Sequence, residues 1–190
     1  MPNLYIIAGC NGAGKTTASF TVLPEMLDCQ EYINADEIAR GLSPFHPDKA
    51  AIEAGRIMLR KIDHFLNNNI DFSFETTLAT RSYVNIIKKS QQLGYQITLL
   101  FFWLDSVELA KERVLTRVAE GGHNIPEQTI VRRYFSGLKN LFELYIPICD
   151  YWMIFNNSNP KIELIADGNF NENITIENNH IFETLKSYKR

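Results

Sequence analysis

Gly9-Cys10-Asn11-Gly12-Ala13-Gly14-Lys15-Thr16 is the stretch on which the reading of the fold turns. It matches the pattern GxxxxGK[ST], preceded by the apolar run Leu4 to Ala8 and followed by a helical pattern from about Lys15. Glycines at these positions let the backbone curl so that several N–H groups point inward, where a Cβ would obstruct them. The positive end of the following helix adds to an anion site. Lys15 would reach the β- and γ-phosphates of a nucleotide, and the Thr16 hydroxyl would ligate Mg²⁺. Gly9, Asn11, Gly12, Ala13, Gly14, Lys15, Thr16 and Thr17 are therefore the expected nucleotide-binding residues. The ligands expected there are ATP or GTP with Mg²⁺, and no base-recognition motif chooses between the purines. The bland alternative is a Gly-rich turn joining strand to helix.

Working outward, apolar runs and helical patterns alternate, the signature of βαβ units around a parallel sheet. A second short strand is expected around Tyr32 to Ala35, meeting Asp36, and the first helix should fail near Pro24. From Pro47 a long helix is expected to bury the stripe Ile52, Gly55, Leu59, Ile62 and Leu66. IDFSFE gives a third strand ending at Glu75, and Ser82 to Leu93 a helix with Gly94 at its C′ position. ITLLFFWL is a strand buried on both faces, and Asp105 with Glu108 looks like a capping box. The helix so opened breaks at EGGHN, restarts near Pro126 and ends by Pro147; YWMIF is a fifth strand. KIELIA and NITIE predict a hairpin around Asp167-Gly168, followed by a short terminal helix. The expected architecture is α/β: a P-loop NTPase three-layer sandwich with a mostly parallel five-stranded sheet of kinase-type order. A helical lid at about residues 113–133 and a C-terminal hairpin plus helix complete one domain over residues 1–190.

Composition narrows the partners. A chain of 190 residues with 45% hydrophobic and 22% charged side chains excludes wholesale disorder. Its net charge of -3 argues against a generic duplex-DNA binder, which carries a strongly basic face. Cys10, Cys29 and Cys149 match neither a zinc spacing nor a disulfide framework, as expected in a reducing cytoplasm. LYIIAG is too short for a signal h-region, and no apolar run reaches the ~20 residues of a membrane span.

Acidic strand ends and arginines around a Gly-rich break point from nucleotide binding toward phosphoryl transfer. Asp36 should emerge at the carboxyl edge of the sheet, where a carboxylate can take the proton of an acceptor hydroxyl or help hold Mg²⁺. Its plain alternative is a helix N-cap. Glu75, followed by Thr76 and Thr77, falls beside the P-loop strand and could order Mg²⁺ or bind an acceptor hydroxyl; the alternative is a strand-end cap. Asp71 and Ser73 share its face but lie deeper and read as structural. Arg113, Arg117, Arg132 and Arg133 flank the break as in a lid whose guanidinium groups close on the triphosphate. Exposed helical arginines are otherwise solvated or paired with Glu. Arg81 could bind an acceptor's phosphate. His123 reads as shaping the lid loop, and Cys10 as a tolerated small residue.

Together AGCNGAGKTT, NADEIA with GLSP, FSFETTLATRS, and RVLTRVAEGGHNIPE with RRYFSGL resemble the zeta-toxin-related P-loop kinases over roughly residues 1–155. More narrowly they are similar to its short bacterial branch, often labelled predicted ABC-type ATPase. The resemblance implies a kinase that phosphorylates a sugar hydroxyl of UDP-N-acetylglucosamine with ATP or GTP, and an antitoxin protein that blocks its nucleotide site. By position it implies Lys15 and Thr16 as the P-loop pair, Asp36 as catalytic base, and Glu75 and Thr77 as acceptor-site residues. Arg117, with Arg132 or Arg133, would be the phosphate-binding arginines. The family's EGTGR-like stretch ends in an arginine with no counterpart at the same spacing here; Arg81 falls two residues later. Alternatives of another class remain: a nucleic-acid end kinase, which would want a basic channel, and a nucleotide-binding toxin–antitoxin module without transfer.

Overall fold

Five consecutive residues, Leu4 to Ala8, are all buried in the first strand, β1 (Asn3–Gly9). Alternate strand residues point to opposite faces, so burial of all five means that both faces of the sheet are covered. The computed structural model describes residues 1–122, 124–170 and 173–188, the side chains of Thr21 and Met26 excepted. In chain order β1 leads to α1 (Lys15–Met26), β2 (Tyr32–Ile33), α2 (Ala35–Leu42), α3 (Pro47–Asn67), β3 (Phe72–Thr76) and α4 (Tyr83–Gln92). Then come β4 (Gln96–Trp103), α5 (Val107–Ala119), α6 (Glu127–Asn140), β5 (Tyr151–Asn156), β6 (Glu163–Asn169), β7 (Ile174–Ile176) and α7 (Asn179–Ser187).

The strands form one sheet in the order β2-β3-β1-β4-β5-β6-β7. The first five pair in parallel, as helical crossovers require, whereas β6 and β7 return antiparallel. β1 thus lies between β3 and β4, which brings Glu75 level with Ile7 and sets the acidic strand end beside the P-loop. This is the α/β P-loop kinase arrangement. The C-terminal hairpin extends the five-stranded sheet to seven rather than packing apart from it. Among the described residues no helix is long and apolar enough to cross a membrane.

Several local expectations are corrected. Pro24 lies inside α1 instead of ending it. The buried stripe of α3 is Ala50, Ala54, Met58, Ile62, Phe65 and Leu66, whereas Ile52 and Leu59 are 74% and 48% exposed. Small residues turn inward because α3 packs closely against α2, with Ala39, Ala50 and Ala54 in one cluster. Asn34, not Asp36, caps α2, accepting from the Asp36 and Glu37 amides. Ser106, not Asp105, caps α5, accepting from the Leu109 amide. Asp167 and Gly168 belong to β6, not to the hairpin turn. Gly168 is there because a Cβ would lie 2.7 Å from the Trp152 ring.

Candidate active site

The loop between β1 and α1 is closed by the Ala13 amide donating to the Cys10 carbonyl at 3.2 Å. Gly12 and Gly14 hold φ of 81° and 77°, a left-handed conformation that a Cβ would strain. A side chain would also collide: a Cβ on Gly12 would meet the Ala110 carbonyl at 2.8 Å, and one on Gly14 the Asn157 amide at 2.5 Å. Gly14 caps α1 without a side-chain hydrogen bond, leaving the first amides of the helix for a ligand. An uncapped helix N-terminus above a glycine loop is an anion site by construction.

Lys15 is only 6% exposed; its Nζ donates to the Cys10 carbonyl at 2.9 Å and lies 3.5 Å from Glu75 Oε1. Glu75 Oε2 accepts from Tyr32 Oη at 2.6 Å, Thr16 Oγ1 at 2.8 Å and Asn34 Nδ2 at 3.0 Å. Asn11, Gly12, Gly14, Lys15, Thr16, Thr17, Asp36 and Glu75 line one cavity of about 330 Å³ together with Arg113 and Arg117 of α5. Gly9 and Ala13 supply the loop's backbone, with Ala13 fully buried.

A second cavity of about 210 Å³ shares Asn11, Lys15, Asp36 and Glu75 with the first and adds Thr77, Thr80, Tyr83, Arg132 and Arg133. A third, about 340 Å³, adds Ala39, Asp48, Ala51 and Ile125 around Asp36, Arg132 and Arg133. Arg133 donates to Asn11 Oδ1 at 3.3 Å. Burial pulls its guanidinium below the usual arginine value, with Asp36 opposing that shift and Arg132 reinforcing it.

The expected lid is divided between two anchorages. Arg113 donates to the carbonyls of Asn157 and Ser158 at 2.8 and 2.9 Å, and Asn157 Nδ2 donates to the Ala13 carbonyl at 2.8 Å. α6, which carries Arg132 and Arg133, is instead tied to the loop after β3: Asn140 Nδ2 donates to the Leu78 carbonyl at 2.7 Å. Past α6, a π-helical turn (Leu141–Tyr145) brings the Tyr145 hydroxyl within 2.5 Å of the Thr80 carbonyl. Leu78 is fully buried with φ of 54°, a strained conformation held by these bonds. Arg81 is exposed and lines none of the three cavities. His123 lies outside the described residues. Burial pushes the Cys10 thiol up to about 11, so it sits in the loop as a neutral group.

Sequence reasoning missed Tyr32, Asn34 and Asn157. Asn34 was signalled by the two acids after it, the pattern of a capped helix start. Asn157 carried no local signal, because it meets Ala13 across 144 positions. The Thr16 hydroxyl and Glu75 carboxylate suit Mg²⁺, which takes one or two protein ligands and fills its shell with water and phosphate oxygens. Among the described residues no group of three His, Cys, Asp or Glu side chains gathers to cage a metal by itself.

Comparison with known proteins matches this geometry. The chain is 32% identical over 127 residues to an uncharacterized protein of Haemophilus influenzae, covering 66% of this chain and 88% of that one. A chain of the AvrRxo1-ORF1:-ORF2 complex solved with ATP superposes with a TM-score of 0.80 at 16% identity, covering 100% of this chain. The present chain spans 65% of that chain's length. A structure of the PezAT chromosomal toxin–antitoxin system of Streptococcus pneumoniae superposes with a TM-score of 0.70 at 17% identity, covering 99% of this chain and 86% of that one. At such identities the likeness speaks for the fold. A model of the zeta toxin family matches residues 1–159, most of the sequence and every cavity-lining residue named above; the chain belongs to the zeta toxin family.

Proposed function

We propose that the protein is an ATP- or GTP-dependent kinase that transfers the γ-phosphoryl group to a hydroxyl of a small molecule. UDP-N-acetylglucosamine or another nucleotide sugar is the acceptor we favour. The observation that carries this reading is the position of Asp36, which lines the cavity of the P-loop and both adjoining cavities. A carboxylate shared by a triphosphate site and a neighbouring polar pocket is placed to align a hydroxyl on a terminal phosphate.

In this mechanism the acceptor hydroxyl oxygen bonds to the γ-phosphorus while its proton passes to the Asp36 carboxylate. The bond from the γ-phosphorus to the bridging oxygen breaks, and its electrons leave with the nucleoside diphosphate. Lys15, Arg117, Arg132 and Arg133 supply positive charge where negative charge spreads over the phosphate oxygens. A divalent cation held through Thr16 and Glu75 would neutralise the β- and γ-oxygens. Glu75, Thr77 and Tyr83 would face the acceptor, with Arg81 reserved for the outer end of a phosphate-bearing one.

An antitoxin protein covering the nucleotide cavity is the expected partner, by likeness to a structure described as a toxin–antitoxin system. Three free, buried cysteines are in keeping with a cytoplasmic setting. The test is incubation with Mg²⁺-ATP and UDP-N-acetylglucosamine, followed by mass spectrometry for an acceptor heavier by one phosphoryl group. Product dependent on Asp36 is expected. No phosphorylated acceptor from a panel of hydroxylated metabolites, with no ATP loss dependent on Asp36, would overturn the reading.

A further inference from the structure

Tyr32 lines none of the three cavities, yet its hydroxyl makes the shortest hydrogen bond to Glu75, 2.6 Å to Oε2. The same oxygen accepts from Thr16 at 2.8 Å and Asn34 at 3.0 Å. Three donors saturate Oε2 and turn the other oxygen, Oε1, toward Lys15 Nζ at 3.5 Å. Asn34 Nδ2 also approaches the Tyr32 hydroxyl at 3.1 Å, giving a directional chain from amide to phenol to carboxylate. Thr16 spends its single proton on Glu75 at 2.8 Å, and its oxygen accepts a long contact from Asn34 Nδ2 at 3.4 Å, which leaves it one lone pair for a cation.

We propose that Tyr32 is a positioning residue that locks the Glu75 carboxylate so that Oε1 and the Thr16 oxygen together receive the nucleotide-bound divalent cation. This rests on the kinase reading above. The tyrosine is itself fixed: its backbone pairs β2 with β3 opposite Ser73, and its ring meets Phe20 edge-on with centroids 6.0 Å apart. A phenylalanine at this position would keep the packing and release one of the three bonds. Groups that orient a metal ligand are typically worth 10–100-fold in metal affinity.

The test is calorimetry of ATP binding at stepped Mg²⁺ concentrations and in EDTA, on wild type, Tyr32→Phe, Glu75→Gln and the double variant, with melting curves to confirm folding. For Tyr32→Phe we expect ATP binding in EDTA as in wild type and about a 10-fold rise in the Mg²⁺ concentration at half effect. In the Glu75→Gln background the same change should add nothing, because the tyrosine acts through that carboxylate. An equal loss with and without Mg²⁺, additive losses in the double variant, or an unchanged Mg²⁺ response overturns the role of Tyr32 alone. Absence of any ATP heat in wild type overturns the kinase reading, and this inference with it.

Discussion

The side chain of Asn34 ties Glu75 to the helix that carries Asp36: its Nδ2 donates to Glu75 Oε2 at 3.0 Å while its Oδ1 accepts from the Asp36 amide at 2.8 Å. One buried amide thereby fixes the distance between the cation-side carboxylate and the proposed base. The two functions separate by substitution. Asn34→Ser keeps a cap on α2, so stability should stay near wild type, but a hydroxyl on so short a side chain cannot reach Glu75. Asn34→Ala loses both and should cost about 1 kcal/mol for the cap alone. Denaturant melts beside Mg²⁺-ATP calorimetry check this; equal Mg²⁺-ATP binding by Asn34→Ser and wild type would contradict it.

Two glycines within helices should respond to alanine with opposite sign. Gly55, in α3, has open space within 4 Å of where a Cβ would stand, so Gly55→Ala should stabilise by about 0.5–1 kcal/mol through helix propensity. Gly137, in α6, sits where a Cβ would lie 2.5 Å from the Thr77 carbonyl. Gly137→Ala must push α6 off the loop after β3, and we expect a loss of about 1–3 kcal/mol and, on the proposed kinase reading, a raised KM for the acceptor. Chemical denaturation measures the first quantity and steady-state kinetics the second. A stabilised Gly137→Ala with unchanged KM would show that the close approach is not maintained in solution.

Alkaline pH should destabilise the fold. Burial raises the Cys10 thiol from its ordinary 9.0 to about 11 in the folded chain. Between these values the unfolded chain has released the proton and the folded chain retains it. Stability is therefore full below pH 9 and falls as pH rises toward 11, by about 3 kcal/mol from this group. Tyr32, Tyr134 and Cys149 are raised by burial and push the same way. Denaturation midpoints from pH 8 to 11 should decline in wild type and decline less in Cys10→Ala. Parallel declines would show that the thiol is not the titrating group.

What the sequence revealed follows from how local each cause is. The P-loop was legible because its glycines encode backbone angles within eight residues, and the place of Glu75 because the run IDFSFE carries it to within one residue of the end of β3, which closes at Thr76. The third helix was misread because its apolar periodicity pointed to Ile52 and Leu59, whereas close packing on α2 needed the small Ala50 and Ala54 inside. Asp167-Gly168 resembles a turn, but Gly168 answers to the Trp152 ring on the neighbouring strand. Asn157 joining Ala13, and Asn140 joining Leu78 across 62 positions, are products of the assembled sheet and left no pattern in the chain. Tyr32 read as a strand residue, since nothing local shows that its hydroxyl meets a carboxylate 43 positions away.

The central claim is that Asp36 accepts the proton of the attacking hydroxyl beside a triphosphate held at the head of α1. Its most direct test is a single-turnover quench with γ-labelled ATP, Mg²⁺ and an acceptor, comparing wild type with Asp36→Asn, alongside the ATP affinity of each. The account predicts that transfer slows by about 10²–10⁴-fold while ATP binding is retained. Transfer by Asp36→Asn at the wild-type rate would contradict it.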